Sequence, residues 1–159
     1  MTAGGAVEEL DPADPATASA IVELQRASYA VEAALIGSDG IPALTETLDE
    51  VRAAGWGWLG VIDDTGLCGA IAWDERDDGT IDICRLVVAP RAFRRGVASR
   101  LLDALDERFP TRAMLVSTGR DNAPAVTLYR RRGFHHLADR EAAPGLFVTE
   151  LRRGAPPPG

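Results

Sequence analysis

The hydrophobic period changes at Trp56, and this change constrains the fold more than any other feature of the chain. Beyond it lie three apolar, β-branched segments: Trp56 to Ile62, Leu67 to Trp73 and Thr80 to Val88. They are separated by Asp63-Asp64-Thr65-Gly66 and Asp77-Asp78-Gly79, both hairpin turn signals. The pattern predicts an antiparallel meander.

Before Trp56 the spacing is helical. Val7 to Leu10 reads as a short strand stopped by Asp11-Pro12. Asp14-Pro15 then supplies an N-cap and a proline at the first helical position, opening a helix with Ile21, Leu24, Ala27 and Val31 on one stripe. Gly37-Ser38-Asp39-Gly40 breaks it. A second helix is expected from Pro42 or Ala43 to Ala54, with Leu44, Leu48 and Val51 at helical spacing and Gly55 as its stop. After the meander the pattern predicts a helix from Gly96 or Val97 to Phe109, a strand from Ala113 to Ser117 and a helix from Ala123 to Arg132 capped by Gly133. Closing strands follow near Phe134 to Ala138 and Leu146 to Leu151. The expected class is α/β (α+β): a mixed, largely antiparallel sheet of about seven strands flanked by about four helices.

The 159 residues, 46% of them hydrophobic, suffice for one domain with a real core and not for two. A single domain is expected over residues 1–159, with a core of about 7–152 and flexible ends at 1–6 and 153–159. No apolar run approaches the roughly 20 residues that span a bilayer, and Met1 to Ala6 lacks the regions of a signal peptide. A cytoplasmic protein without membrane contact is expected.

The chain contains no lysine. A Walker A loop, a kinase strand lysine and a pyridoxal Schiff base are therefore excluded. Residues 1–80 carry 3 arginines against 16 acidic residues and residues 81–159 carry 14 against 8, for an overall net charge of −7. Nucleic-acid binding normally brings a basic domain; none is expected here. The asymmetry suits either a polyanionic ligand on the second half with a cationic acceptor drawn to the first, or a merely solvated acidic face. Cys68 and Cys84 fall out of register across the Asp77-Asp78-Gly79 turn and are expected as free thiols. Adjacent His135 and His136 point to opposite faces of a strand, so no metal site is expected.

Two segments carry chemistry. After the strand ending Leu86-Val87-Val88, the loop Phe93-Arg94-Arg95-Gly96 leads into a helix beginning Val97-Ala98-Ser99. A helix start presents unpaired N–H groups and a partial positive charge, and small residues let an anion approach them. Taken alone, the segment fits a nucleotide, coenzyme A or a phosphosugar, or an ordinary loop with solvated arginines. It lacks the glycines of a dinucleotide fingerprint. The second segment is Asn122-Ala123-Pro124-Ala125-Val126-Thr127-Leu128-Tyr129, followed by Arg130-Arg131-Arg132-Gly133-Phe134.

In this order the two segments resemble the acetyl-CoA half of the GNAT superfamily of N-acetyltransferases, and the order of elements from Val7 to Arg152 is similar to that of the family. The family pattern of Arg or Gln, two residues, Gly, one residue, Gly or Ala lands on Phe93, Gly96 and Ala98; Phe93 departs from it. The resemblance implies acetyl-CoA as co-substrate. Arg94, Arg95, Gly96, Val97, Ala98 and Ser99 would surround its pyrophosphate. The strand Leu86-Val87-Val88 would bond the pantetheine arm through amides left unpaired where two strands splay, and Asn122 would contact the same arm. Tyr129 would be the general acid, although a helical tyrosine beside Leu128 also reads as a core aromatic and Asn122 as a helix N-cap. For the base, Asp82 and Glu46 stand level and Glu32 competes; each alone also reads as a surface carboxylate. Trp56, Trp58 and Trp73 are core by default, with Trp56 and Trp58 on one face that could line an acceptor pocket. The implied reaction is acetyl transfer to an amine acceptor by direct attack in a ternary complex, with a non-catalytic CoA-binding module as the alternative. A homodimer is admissible.

Overall fold

The structure, a computed structural model, describes residues 6–36 and 46–154. The expected break at Gly37 to Gly40, the helix start near Pro42, Leu44, residues 1–5 and the last five residues lie outside them. Among the described residues, eleven α-helices and strands follow in the order β1 (Val7–Glu9), α1 (Pro15–Ile36), α2 (Leu48–Ala53), β2 (Gly57–Asp63), β3 (Gly66–Glu75), β4 (Ile81–Val88), α3 (Val97–Arg108), β5 (Met114–Gly119), α4 (Ala123–Arg131), β6 (His135–Ala143) and β7 (Leu146–Arg153). One seven-stranded sheet has the order β1-β2-β3-β4-β5-β7-β6. All pairings are antiparallel except β4 with β5, which is parallel.

Strand alternation sorts side chains onto two cores. Leu59, Val61, Ile71, Trp73 and Ile81 face Val97, Leu101, Leu102 and Leu105 of α3, with Tyr129 and Phe134 completing that side. Trp58, Ala70, Ala72 and Val87 face Ile21, Val22 and Leu24 of α1 and Val51 of α2. Gly69 brings α3 close to β3: a Cβ there would lie 2.4 Å from Val97 Cγ1.

Asp14 caps α1, its Oδ2 accepting from the Thr17 amide at 3.2 Å and the Thr17 hydroxyl at 2.7 Å. The stripe of α1 differs from expectation. Ala27 is exposed, whereas Gln25 is fully buried one turn after Ile21. Helix α2 begins at Leu48, where a capping box holds it: Thr47 Oγ1 accepts from the Glu50 amide and Glu50 Oε1 from the Thr47 amide. Leu48 is exposed, so of the described residues of the expected stripe it is Val51 that enters the core. Gly55 at φ +72° and Gly133 at φ +91° end α2 and α4.

Strand β6 runs five residues beyond the expected end at Ala138. It is an edge strand, mostly exposed, with bulges at His136/Ala138 and Glu141/Ala143. Its charges Asp139, Arg140 and Glu141 hid it from an apolar-run search and discourage further pairing. Several second-half arginines pair with first-half acids, as Arg85–Glu46, Arg91–Asp63, Arg108–Glu9 and Arg112–Glu75. The charge asymmetry along the chain is therefore partly neutralised across the fold. Cys68 and Cys84 are free thiols. Among the described residues no helix is long and apolar enough to cross a membrane.

Candidate active site

The site opens where the sheet stops being continuous. Trp73 pairs with Ile83 and Ala72 with Arg85, so Cys84 is an extra residue in β4, a β-bulge. The bulge reverses the alternation: Ile81 and Ile83 face the α3 side before it, whereas Leu86 and Val88 do after it and Val87 turns toward α1. Strand β5 pairs with β4 only over Ile81–Met114, Asp82–Leu115 and Ile83–Val116. Beyond the bulge the two strands diverge.

The backbone polarity of that gap follows from one bond. The Ala89 amide donates to Cys68 O at 2.8 Å. By the two-residue period, the amides of Val87 and Arg85 also turn toward β3 while those of Leu86 and Val88 turn into the gap. The Val88 amide lies 3.4 Å from Ser28 Oγ of α1. Arg85 secures the bulge: its Nη1 donates to Cys84 O at 2.7 Å, its Nη2 pairs with Glu46 Oε2 at 3.3 Å, and its guanidinium lies 4.9 Å from the centre of the Trp56 ring. Glu46 Oε1 in turn accepts from Gln25 Nε2 at 3.0 Å.

At one end of the gap the chain passes through a 3₁₀ turn at Pro90–Ala92 and reaches Arg94, whose φ of +65° is left-handed. Gly96, at φ +74°, is the N-cap of α3 and provides no side-chain cap; its carbonyl accepts from the Arg100 amide at 3.0 Å. The first-turn amides of α3 therefore open onto the cleft without a capping oxygen, a geometry that suits an anion.

At the other end α1 and α4 close a cleft of about 560 Å³. Tyr129 is buried, its ring edge-on to Phe134 at 5.5 Å. Burial, with Tyr29 and the Glu32 charge nearby, pushes its phenol well above the ordinary range, so it stays protonated. Burial likewise raises Tyr29, on the facing helix. Asn122 Oδ1 accepts from the Ala125 amide at 3.3 Å, capping α4, and its Nδ2 donates to Glu32 Oε1 at 2.8 Å. Burial raises the Glu32 carboxyl and the Asn122 bond partly holds it down. The Cys84 thiol, in the cleft wall, is pushed up to about 12 chiefly by burial, with the charge of Asp82 adding to it.

A phosphate-ready helix start, a splayed pair of strands and a buried tyrosine on the next helix coincide with a family match. The model of the acetyltransferase (GNAT) family matches residues 20–134. The chain belongs to that family. It is 34% identical over 144 residues to UPF0157 protein YqkA of Bacillus subtilis (strain 168), covering 90% of this chain and 42% of that protein. It is 33% identical over 141 residues to a mycothiol acetyltransferase of Geodermatophilus obscurus, covering 84% and 43%. The chain thus spans less than half the length of these two curated relatives. Among solved structures, the PaiA N-acetyltransferase of Thermoplasma acidophilum in complex with coenzyme A has a similar fold, with a TM-score of 0.72, 17% identity and coverage of 94% and 98%.

For a GNAT chain, the cleft brings together most of the residues singled out in the sequence. Tyr129, Asn122, Leu86, Val88, Arg94, Gly96, Val97, Ala98 and Ser99 all line it. Four do not. Val87 turns its side chain into the α1 core, and Arg95 lies outside the lining. Asp82 lies on β4 before the bulge, on the paired stretch, bound to Arg76 at 2.7 Å. Glu46 is held between Gln25 and Arg85 behind the cleft wall. The ring of Trp56 is covered by Arg85, Trp58 is buried against α1, and Trp73 packs on the α3 side against Phe109. Tyr29, Ser28 and Cys84 also line the cleft and were not singled out as site residues. The first two follow Gln25 on α1 as a polar stripe toward Glu32, a helical spacing visible in the sequence.

Proposed function

We propose that this chain is an N-acetyltransferase that moves the acetyl group of acetyl-CoA to an amine acceptor by direct attack in a ternary complex. The observation that carries the reading is the gap between β4 and β5. By the strand period the amides of Leu86 and Val88 turn into that space, the second donating to Ser28 Oγ, and the gap ends at the uncapped start of α3. Those features fit coenzyme A: Leu86 and Val88 would bond the pantetheine arm by strand addition. The amides of Gly96 to Ser99, with the charges of Arg94 and Arg95, would hold the pyrophosphate. The coenzyme A complex of the PaiA fold relative and the mycothiol acetyltransferase relative support the choice of cofactor and reaction.

The thioester supplies an acetyl group activated toward amines. What the protein adds is position and proton control. Tyr129 holds its proton at neutral pH and offers it to the departing sulfur from a wall of the cleft. A phenol raised by burial is a weak acid, so its contribution depends on being placed against the sulfur.

Two measurements test the reading. Saturating acetyl-CoA raises the melting temperature, since a ligand at 100 times its Kd adds about 2.7 kcal/mol of stability; an unmoved transition removes the assignment. Thiol release from acetyl-CoA, followed across a panel of amines, identifies the acceptor. With that acceptor, Tyr129→Phe lowers kcat by about 10²–10⁴ while the acetyl-CoA thermal shift persists. Wild-type kcat in Tyr129→Phe takes the tyrosine out of the chemistry.

A further inference from the structure

Three carboxylates lie near the bulge, and their partners separate them. Asp82 is ion-paired with Arg76, and Glu46 with Arg85 while accepting from Gln25. Glu32 instead lines the cleft with Tyr29 and Tyr129, and its hydrogen-bond partner is the neutral side chain of Asn122. A carboxylate held by a cation is a poor proton acceptor; one held by a neutral donor keeps its basicity.

The orientation of Asn122 is fixed by chemistry. The Ala125 amide must find an acceptor at the start of α4, which assigns that contact to Oδ1 and leaves Nδ2 to donate toward Glu32. One side chain thus caps α4 and bridges to α1 across the cleft. An asparagine with both ends engaged in this way is a strut between the two walls, and it sets the position and basicity of the glutamate it touches.

We propose that the Glu32 carboxylate, carried by α1 and braced by Asn122, is the proton acceptor for the incoming ammonium group. Glu32 is then a catalytic residue and Asn122 a positioning residue. The inference rests on the acetyl-transfer reading. Glu32 takes one proton from the acceptor ammonium, freeing the nitrogen lone pair. The C–N bond forms as the C–S bond breaks, and the sulfur receives the proton of Tyr129. The second nitrogen proton returns to the Tyr129 oxygen, and Glu32 releases its proton to solvent. The two groups assist each other: the negative charge of Glu32 helps keep the proton on Tyr129, so neutralising Glu32 makes Tyr129 a better donor.

The pH dependence has a defined sign. Glu32 is raised by burial, so it is still protonated at pH values where an ordinary glutamate is ionised. As pH falls through the raised value the base is lost, and kcat/KM falls with it. The other titratable or charged groups at this site are Tyr29 of α1, Cys84 and Arg85 of β4 with Glu46 behind, Arg94 in the loop before α3, and Tyr129 of α4. Tyr29, Cys84 and Tyr129 are pushed upward and stay neutral across that range.

The test uses glutamate carboxyl carbons labelled with ¹³C and followed by NMR across pH, alongside turnover. In the wild type one glutamate titrates above the rest, and the signal is missing in Glu32→Gln. In Asn122→Ser the serine still caps α4 but is too short to reach Glu32, so that signal moves further up and the acidic limb of kcat/KM moves with it. Glu32→Gln keeps an oxygen for Asn122 and folds; at pH 7 its kcat/KM falls by about 10²–10⁴, and its acetyl-CoA thermal shift is retained. A Glu32 signal that titrates with the bulk, or that stays put in Asn122→Ser, overturns the proposal. So does Glu32→Gln with wild-type turnover, which would leave acetyl transfer intact. A wild type that acetyl-CoA fails to stabilise, and that releases no thiol, overturns the acetyl-transfer reading itself and the proposal with it.

Discussion

Strand β4 has two neighbours and treats them differently. Against β3 it is paired from Ile81 to Val88, and the ladder continues into Ala89. Against β5 it is paired over three residues and then releases. The two sides of one strand show that a sheet can be closed and open at once if a single residue changes the phase. Cys84 is that residue. The bulge lets β3 stay bonded while the strand bends away from β5, and the amides of Leu86 and Val88, the second now donating to Ser28 Oγ, turn from β5 to the wall of a cleft.

At the bulge Arg85 donates to the Cys84 carbonyl while neutralising Glu46. Breaking this arrangement should have the largest effect on stability. Arg85→Leu removes the donor and leaves Glu46, whose side chain is 12% exposed, without its cation. Removing one member of a buried pair costs about 3–5 kcal/mol; because both groups keep some solvent contact, about 3 kcal/mol is expected. Urea unfolding measures it. A loss under 1 kcal/mol would mean that the bulge stands without Arg85, and the double variant Arg85→Leu with Glu46→Leu should recover part of the loss.

The closed side can be tested through Gly69. A Cβ at that position meets Val97 Cγ1 at 2.4 Å and Leu101 Cδ1 at 3.3 Å. Valine in a helix has one strongly preferred rotamer and cannot swing aside, so Gly69→Ala must push the start of α3 outward. Overpacking of this kind costs about 1–3 kcal/mol. Acetyl-CoA affinity should drop together with stability, because the displaced amides are those proposed to hold its pyrophosphate. Full stability with unchanged affinity would show that α3 is not seated by this contact.

The contrast also explains what could be read in advance. The meander, α3, α4 and the two motif segments were legible because their signals are local: period, turn residues and glycine stops within a few positions. The bulge was not, because no glycine or proline marks Cys84 within the segment Thr80 to Val88, and it becomes extra only by comparison with β3. The same holds for the three candidate carboxylates. Asp82, Glu46 and Glu32 look alike in sequence, and only the folded positions of Arg76, Arg85 and Asn122 distinguish them. The start of α2 was available locally, since Thr47 and Glu50 have capping-box spacing. The expectation followed apolar spacing through Leu44 instead.

The smallest expected effect concerns the loop at the open end, where Arg94 adopts φ +65°. A left-handed conformation costs a residue with a side chain about 1–2 kcal/mol, and glycine escapes most of it at some cost in chain entropy. Arg94→Gly and Arg94→Ala both delete the charge, but only the glycine relieves the backbone. The two variants should therefore lose acetyl-CoA affinity equally, while Arg94→Gly is more stable than Arg94→Ala by about 1 kcal/mol. Melting curves without ligand read the backbone term, and titrations at low and high salt read the charge term, which screening should shrink. Equal stability of the two variants would mean that the loop relaxes once the arginine is gone. Its left-handed turn would then be held by the side chain of Arg94 rather than imposed by the path from β4 into α3.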